Sequence, residues 1–227
     1  MRSLSWLVPG RSVDDAVRVA EELVAQGRRV ALEHRPGADG EVVAELAALV
    51  ARAPAGDVEL TLPVELLGGR AADLAAAAGA AGLGVALEGP AGAVGELLEA
   101  FPEARAVVAA AEPGAERRCR ALAGRRVRLQ AGRGRAADLA FVRCLNVLMS
   151  GAGTPAVATS DPRLVAITGE RAAWYGRSPD SWEHVMPYGV RTDEQRRLAA
   201  AGAALRVAVP SGTAALPAVA RRIGGRR

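Results

Sequence analysis

At 227 residues the chain is long enough for one substantial core, and residues 1–227 read as a single domain. Half of the residues are apolar, yet no apolar run approaches the roughly eighteen that span a bilayer, and residues 1–6 lack the apolar stretch of a signal peptide, so a cytoplasmic protein is expected. The net charge is only +4, arginines alternate with acids along helical segments, and three Trp, two Tyr and two Phe offer little for base stacking, which argues against a nucleic-acid partner. All 29 basic residues are arginine, and there is no lysine.

Helical periodicity alternates with short β-rich runs throughout, the pattern of consecutive βα units. Ser12 with Asp15 forms a capping box for a first helix through Val13, Val17, Ala20 and Val24 that stops at Gly27. A strand over residues 29–34 follows, and then a helix through Val42, Leu46 and Leu49 that ends before Pro54. Further strands are predicted over 58–64, 83–88, 106–110, 126–130, 155–159, 182–186 and 205–209. Ser160 before Asp161-Pro162, and Thr192 with Gln195, are the expected caps of two intervening helices. Eight strands separated by helices predict a (β/α)8 TIM barrel with an extra N-terminal helix. No Gly-x-Gly-x-x-Gly follows the first strand, which argues against an open dinucleotide-binding sheet. Cys119 and Cys144 fall in amphipathic helices and read as buried free thiols, and no metal site has recognisable spacing.

In such barrels the strand C-termini and the loops after them carry chemistry. The candidates there are Glu33 and His34, Glu88, Arg128 with Gly132-Arg133-Gly134, Glu183 before Tyr188-Gly189, and Ser211-Gly212-Thr213. Alternation turns Glu183 inward and His184 toward the helices, where a structural role is expected. His34 reads equally as a structural or a functional group. The Ser211-Gly212-Thr213 turn reads as an ordinary helix start or as a phosphate site. Arg221 and Arg222 on the last helix either reach inward as forks for a carboxylate or stay solvated, and that basic helix is also a possible protein-partner surface.

From about Arg126 onward the wording resembles the proline dehydrogenase family, with weaker similarity back to roughly Trp6. The resemblance rests on Arg126-Val127-Arg128-Leu129, Val142-Arg143-Cys144-Leu145, Val157-Ala158-Thr159-Ser160-Asp161-Pro162-Arg163-Leu164, Tyr188-Gly189-Val190-Arg191, Arg206-Val207-Ala208-Val209-Pro210 and Arg221-Arg222. It implies a flavin-dependent barrel with FAD across the strand ends, oxidising proline to pyrroline-5-carboxylate. It also implies proline's carboxylate on Arg221 and Arg222, with Tyr188 and Glu33 beside the substrate, and Arg128, Gly132, Glu183 and Ser160 along the cofactor. Glu88 matches a third family carboxylate. The chain looks like a shortened, diverged member.

Departures fall on the groups that would serve the chemistry. Thr61 and Ala131 stand where the family has lysines, and Ala86, Ala109, Ser160, Val185 and Ser211 replace further polar or aromatic groups. Arg133 replaces an alanine, bringing a long cation to the flavin's side of the loop. Each lost donor to a charged group costs about 1.5–3 kcal/mol. The expectation is therefore a pseudoenzyme-like barrel with no bound cofactor, or an enzyme of altered, non-redox chemistry, that keeps a pocket for a small carboxylate such as proline. The alternative is an active FAD-dependent proline dehydrogenase in which other groups hold the flavin.

Overall fold

The computed structural model describes residue 10, residues 12–37 and residues 41–214. Eight strands follow one another in chain order around a closed barrel, as the alternation predicts: β1 (Arg29–His34), β2 (Val58–Pro63), β3 (Gly84–Glu88), β4 (Arg105–Ala109), β5 (Arg126–Gln130), β6 (Thr154–Ala158), β7 (Glu183–Pro187) and β8 (Leu205–Ser211). Helix α1 (Val13–Ala25) precedes them, and α2 (Val42–Arg52), α3 (Val64–Leu67), α4 (Ala71–Ala80), α5 (Ala91–Ala100), α6 (Ala115–Ala121), α7 (Arg135–Ser150), α8 (Pro162–Trp174) and α9 (Thr192–Ala200) alternate with them. Among the described residues no helix is long and apolar enough to cross a membrane, and no group of three or more His, Cys, Asp or Glu is placed to hold a metal ion.

The described chain divides into two compact units. The first holds β1, β2, β3 and β8, with the residues up to Ala104 and Pro187–Val190. Here β1 pairs in parallel with β8 over six residues, from Arg29 opposite Arg206 to His34 opposite Ser211. On its other side β1 pairs with β2, Leu32 opposite Leu60, and β2 pairs with β3, Pro63 opposite Glu88. Val30, Leu32, Leu60, Leu62 and Leu87 are fully buried toward the helices. The intervening Glu33, Glu59 and Thr61 occupy the inner face, and they too are buried. The capping box at α1 forms as expected: Asp15 N–H donates to Ser12 Oγ at 3.1 Å, and Ser12 N–H donates to Asp15 Oδ2 at 3.3 Å.

The second unit holds β4 to β7 up to Met186, with α9 and Leu205. Its ladder runs Ala109 opposite Gln130 opposite Ala158 along β4, β5 and β6, and Ala156 opposite Glu183 between β6 and β7. Val108, Val127, Leu129 and Val157 meet Phe141, Leu145, Leu148 and Met149 of α7 in one apolar cluster that also takes in Cys119 and Cys144. Both cysteines are buried free thiols, and the neighbouring Cys144 sulfur together with burial raises the Cys119 pKa, so Cys119 stays protonated.

Two caps differ from expectation. Asp161, not Ser160, caps α8, because its carboxylate accepts the Arg163 N–H at 2.9 Å and leaves Pro162 at the first helical position. At α9 the cap position is Arg191, held left-handed at φ 48°, and Thr192 is already helical. Asp193 and Glu194 in the first turn then face the positive end of that helix.

Candidate functional site

In the first unit the strand ends bring Glu33, His34, Thr61 and Glu88 together with Arg35 and Pro63 around a shallow concavity. Its polar groups are already engaged. Arg35 pairs with Glu88 across the rim, both side chains about one quarter exposed. His34 is 1% exposed and sits at the centre of a chain of hydrogen bonds, with Nδ1 2.8 Å from Ser211 Oγ and Nε2 2.6 Å from Glu45 Oε2 on α2. Since Ser211 is itself fully buried, this chain fastens β1, β8 and α2 to one another. These bonds give His34 a structural part to play.

The loops after β1 and β8 are laced by backbone bonds, Arg35 N–H to Ser211 O at 2.8 Å and Ala214 N–H to Arg35 O at 3.0 Å. Gly212 makes this approach possible. Its φ is +90°, and a Cβ there would lie 2.2 Å from the Arg35 carbonyl oxygen. The turn that reads as an ordinary helix start or a phosphate site therefore spends backbone groups on the loop after β1. Tyr188, in the loop after β7, is half-buried, and its N–H donates to Ala208 O at 2.8 Å.

In the second unit Glu183 does face inward, but it is the first residue of β7, at the opposite end of the strand from the loops that carry chemistry. There Arg105, the first residue of β4, donates from Nη2 to Glu183 Oε1 at 2.9 Å. The side chains are 2% and 3% exposed. Arg128, at the middle of β5, is fully buried on the same inner face. Ser160 is half-buried after β6, and Arg133 is exposed. Gly132 lies tight against the loop floor, for a Cβ there would stand 2.8 Å from the Cβ atoms of both Ala111 and Ala137. Arg221 and Arg222 lie outside the described residues.

His184 turns toward the helices as expected, its ring edge-on to Trp182 with centroids 4.7 Å apart. Burial pushes its pKa down to about 4, while the nearby Glu194 carboxylate acts weakly in the other direction. Its Nδ1 is buried without a hydrogen-bond partner.

Sequence reasoning missed Arg105, because the fourth strand was begun one residue late. Extending the same alternation back by one position would have placed it inward, with Val107 and Ala109. It missed Arg35, Glu45 and Gln130 as well. For Gln130 a signal existed, since it is the one long polar side chain closing a strand that otherwise buries Val127 and Leu129.

No family model matches the chain. One curated relative, proline dehydrogenase 1 of Bacillus subtilis (strain 168), is 34% identical over 92 residues, which is 40% of this chain and 30% of that protein. Among solved structures, proline utilization A from Bdellovibrio bacteriovorus superposes with a TM-score of 0.77 at 15% identity, covering 95% of this chain and 32% of that one. The Corynebacterium freiburgense protein of the same name gives 0.71 at 15% identity, over 95% and 30%. The chain thus spans about a third of the length of these relatives. The fold is that of the (β/α)8 barrels. Within that class, 40% of the chain is similar in sequence to a proline dehydrogenase, and the solved structures share the barrel fold.

Proposed function

We propose that this chain is a cytoplasmic, single-domain, proline dehydrogenase-like barrel that has diverged from flavin-dependent proline oxidation and binds a small carboxylate, through Arg221 and Arg222, as a binding protein or in non-redox chemistry. The observation that carries the reading is the state of Glu183. A carboxylate matched to a cofactor-side position is instead consumed by Arg105 at the strand starts, sealed from solvent. A flavin ring needs donors that can hold the charge of its reduced form, in a dry and shaped pocket. The residues at the matched positions do not fit that need. Thr61 and Ala131 supply no ammonium.

The test is colour and turnover. Purified protein incubated with FAD is expected to show no flavin absorbance after desalting and no proline-dependent dye reduction. A retained yellow chromophore with proline-dependent reduction overturns the reading.

A second reading, a working FAD-dependent proline dehydrogenase, is favoured by one observation: the segment it shares at 34% identity belongs to a protein of that name. The same experiment decides between the two.

A further inference from the structure

The ring of His184 lies on the outer face of β7, 3% exposed, opposite Val157 of β6 and edge-on to Trp182, and its Nδ1 is buried without a hydrogen-bond partner. A neutral imidazole tolerates this, because the bare nitrogen of the ring can be Nδ1. A second proton would create both a buried charge and an N–H with no acceptor, in surroundings whose burial already pushes the pKa down.

The carboxylate nearest to help is committed elsewhere. Two charges act on the ring, Glu194 and Arg197, both on α9. Arg197 holds Glu194 by two bonds, Nε to Oε2 at 2.8 Å and Nη2 to Oε1 at 2.6 Å, so the pair brings almost no net charge to the imidazole. Of the other charged groups on α9 and α8, Asp193 pairs with Arg196, Arg163 pairs with Asp161 and Asp138, Arg191 and Glu170 are exposed, and Arg171 is half-buried. Glu183 turns to the inner face, and β6 carries no charged residue. Of these two helices α9 is the more thinly anchored. It buries Gln195 and Leu198, and Leu198 is its contribution to the apolar cluster with Val165, Met186 and Leu205, whereas α8 buries Leu164, Val165, Thr168 and Ala172. Segments with few buried apolar contacts are those that open before the whole fold does.

We propose that α9 is an acid-released element of this fold: protonation of His184 detaches residues 192–200 from β7 while the barrel strands stay paired. When the helix lifts, the charged ring gains water as solvent and partner, and Glu194 keeps its bonds to Arg197 because both travel on the same helix. The device needs no ligand and none of the residues of the carboxylate reading, so it stands independently of the proposed function.

Hydrogen exchange of the full chain tests it, read peptide by peptide by mass spectrometry at pH 7.5 and pH 5 and corrected for intrinsic rates. Protection of the amides of residues 195–201 is expected to fall by roughly twentyfold to thirtyfold at pH 5, the ratio set by a ring that titrates near 4 when covered and near 6.5 when open. It should fall to a level well below that of residues 141–149 in α7 at the same pH. In His184→Phe the fall should be absent. Arg197→Gln, at an exposed position, frees Glu194 to pair with the imidazolium and should shrink the fall, which the loss of a merely structural bond would not do. Protection of residues 195–201 that holds to within a few-fold at pH 5 overturns the proposal. So does protection equal to that of α7, since the proton would then act only by unfolding the whole chain, and so does an undiminished fall in either variant that folds.

Discussion

Arg105 and Glu183 begin β4 and β7, and their side chains meet at 2.9 Å on the inner face, with almost no access to water. Taking two charges out of water is expensive, and each offsets part of that cost for the other. Removing one partner leaves the other buried without this counter-charge. Glu183→Leu should therefore cost about 3–5 kcal/mol, whereas Arg105→Met combined with Glu183→Leu should recover most of the loss. Urea unfolding of the two single variants and the double variant checks this. A single variant within about 1 kcal/mol of the parent would show the pair to be solvated, contrary to its geometry.

His34 joins Ser211 and Glu45. Phenylalanine at position 34 would fill the space but leave the buried Ser211 hydroxyl without this partner, at a cost of about 1–3 kcal/mol. The midpoint of denaturant unfolding should fall with the slope unchanged. If the slope changes as well, the substitution has altered more than this chain of hydrogen bonds.

His184 gives the fold a pH dependence of known sign. Its folded pKa lies near 4 and its unfolded value near 6.5, so between these the unfolded chain holds the extra proton. Stability contributed by the neutral ring is present above about pH 6.5, is lost as pH falls toward 4, and levels off below that. The full loss amounts to roughly 3 kcal/mol, from about 1.4 kcal/mol per pKa unit. Stability curves at pH 7 and pH 4.5, compared with those of His184→Phe, should show this component vanish in the variant. An equal slope in both proteins would rule it out.

Glycines of the same backbone class should respond very differently. At Gly212, φ is +90° and a methyl group would collide with the Arg35 carbonyl oxygen. At Gly27, φ is +71° but nothing lies within 4 Å. Alanine at 27 should cost about 1 kcal/mol, the ordinary left-handed penalty. Alanine at 212 should cost several times as much, because the β1 and β8 loops must separate to admit it. Thermal denaturation of the two variants side by side gives the comparison.

The barrel was legible because apolar residues recur every second position in the strands and every third or fourth in the helices, and because Ser12 and Gly27 mark the ends of α1. Strand limits moved by about one residue, which matters most at β4, where starting at Ala106 hid Arg105 and with it the partner of Glu183. The inward turn of Glu183 and the outward turn of His184 both follow from alternation. What could not be read was level along the strand. Alternation says which face a side chain takes but not that Glu183 stands at the start of β7, away from the loops. Pairings such as His34 with Ser211 depend on register between distant strands, for which a single sequence carries no local signal. The cap of α8 was misread because Ser160 and Asp161 are both good caps, and only the N–H accepted by Asp161 separates them.

The six-residue ladder between β1 and β8 has a kinetic side. His34 and Ser211 are 177 positions apart, so the first strand must wait for nearly the whole described chain before its second neighbour exists. Until then one edge of β1 offers its unmatched backbone groups to any other extended segment, which is the usual opening for aggregation during synthesis. A closure joining residues so remote in sequence also makes for slow folding. Deletions that reach into β8 should therefore leave β1 with an exposed edge and yield insoluble protein, even where every other βα unit is intact.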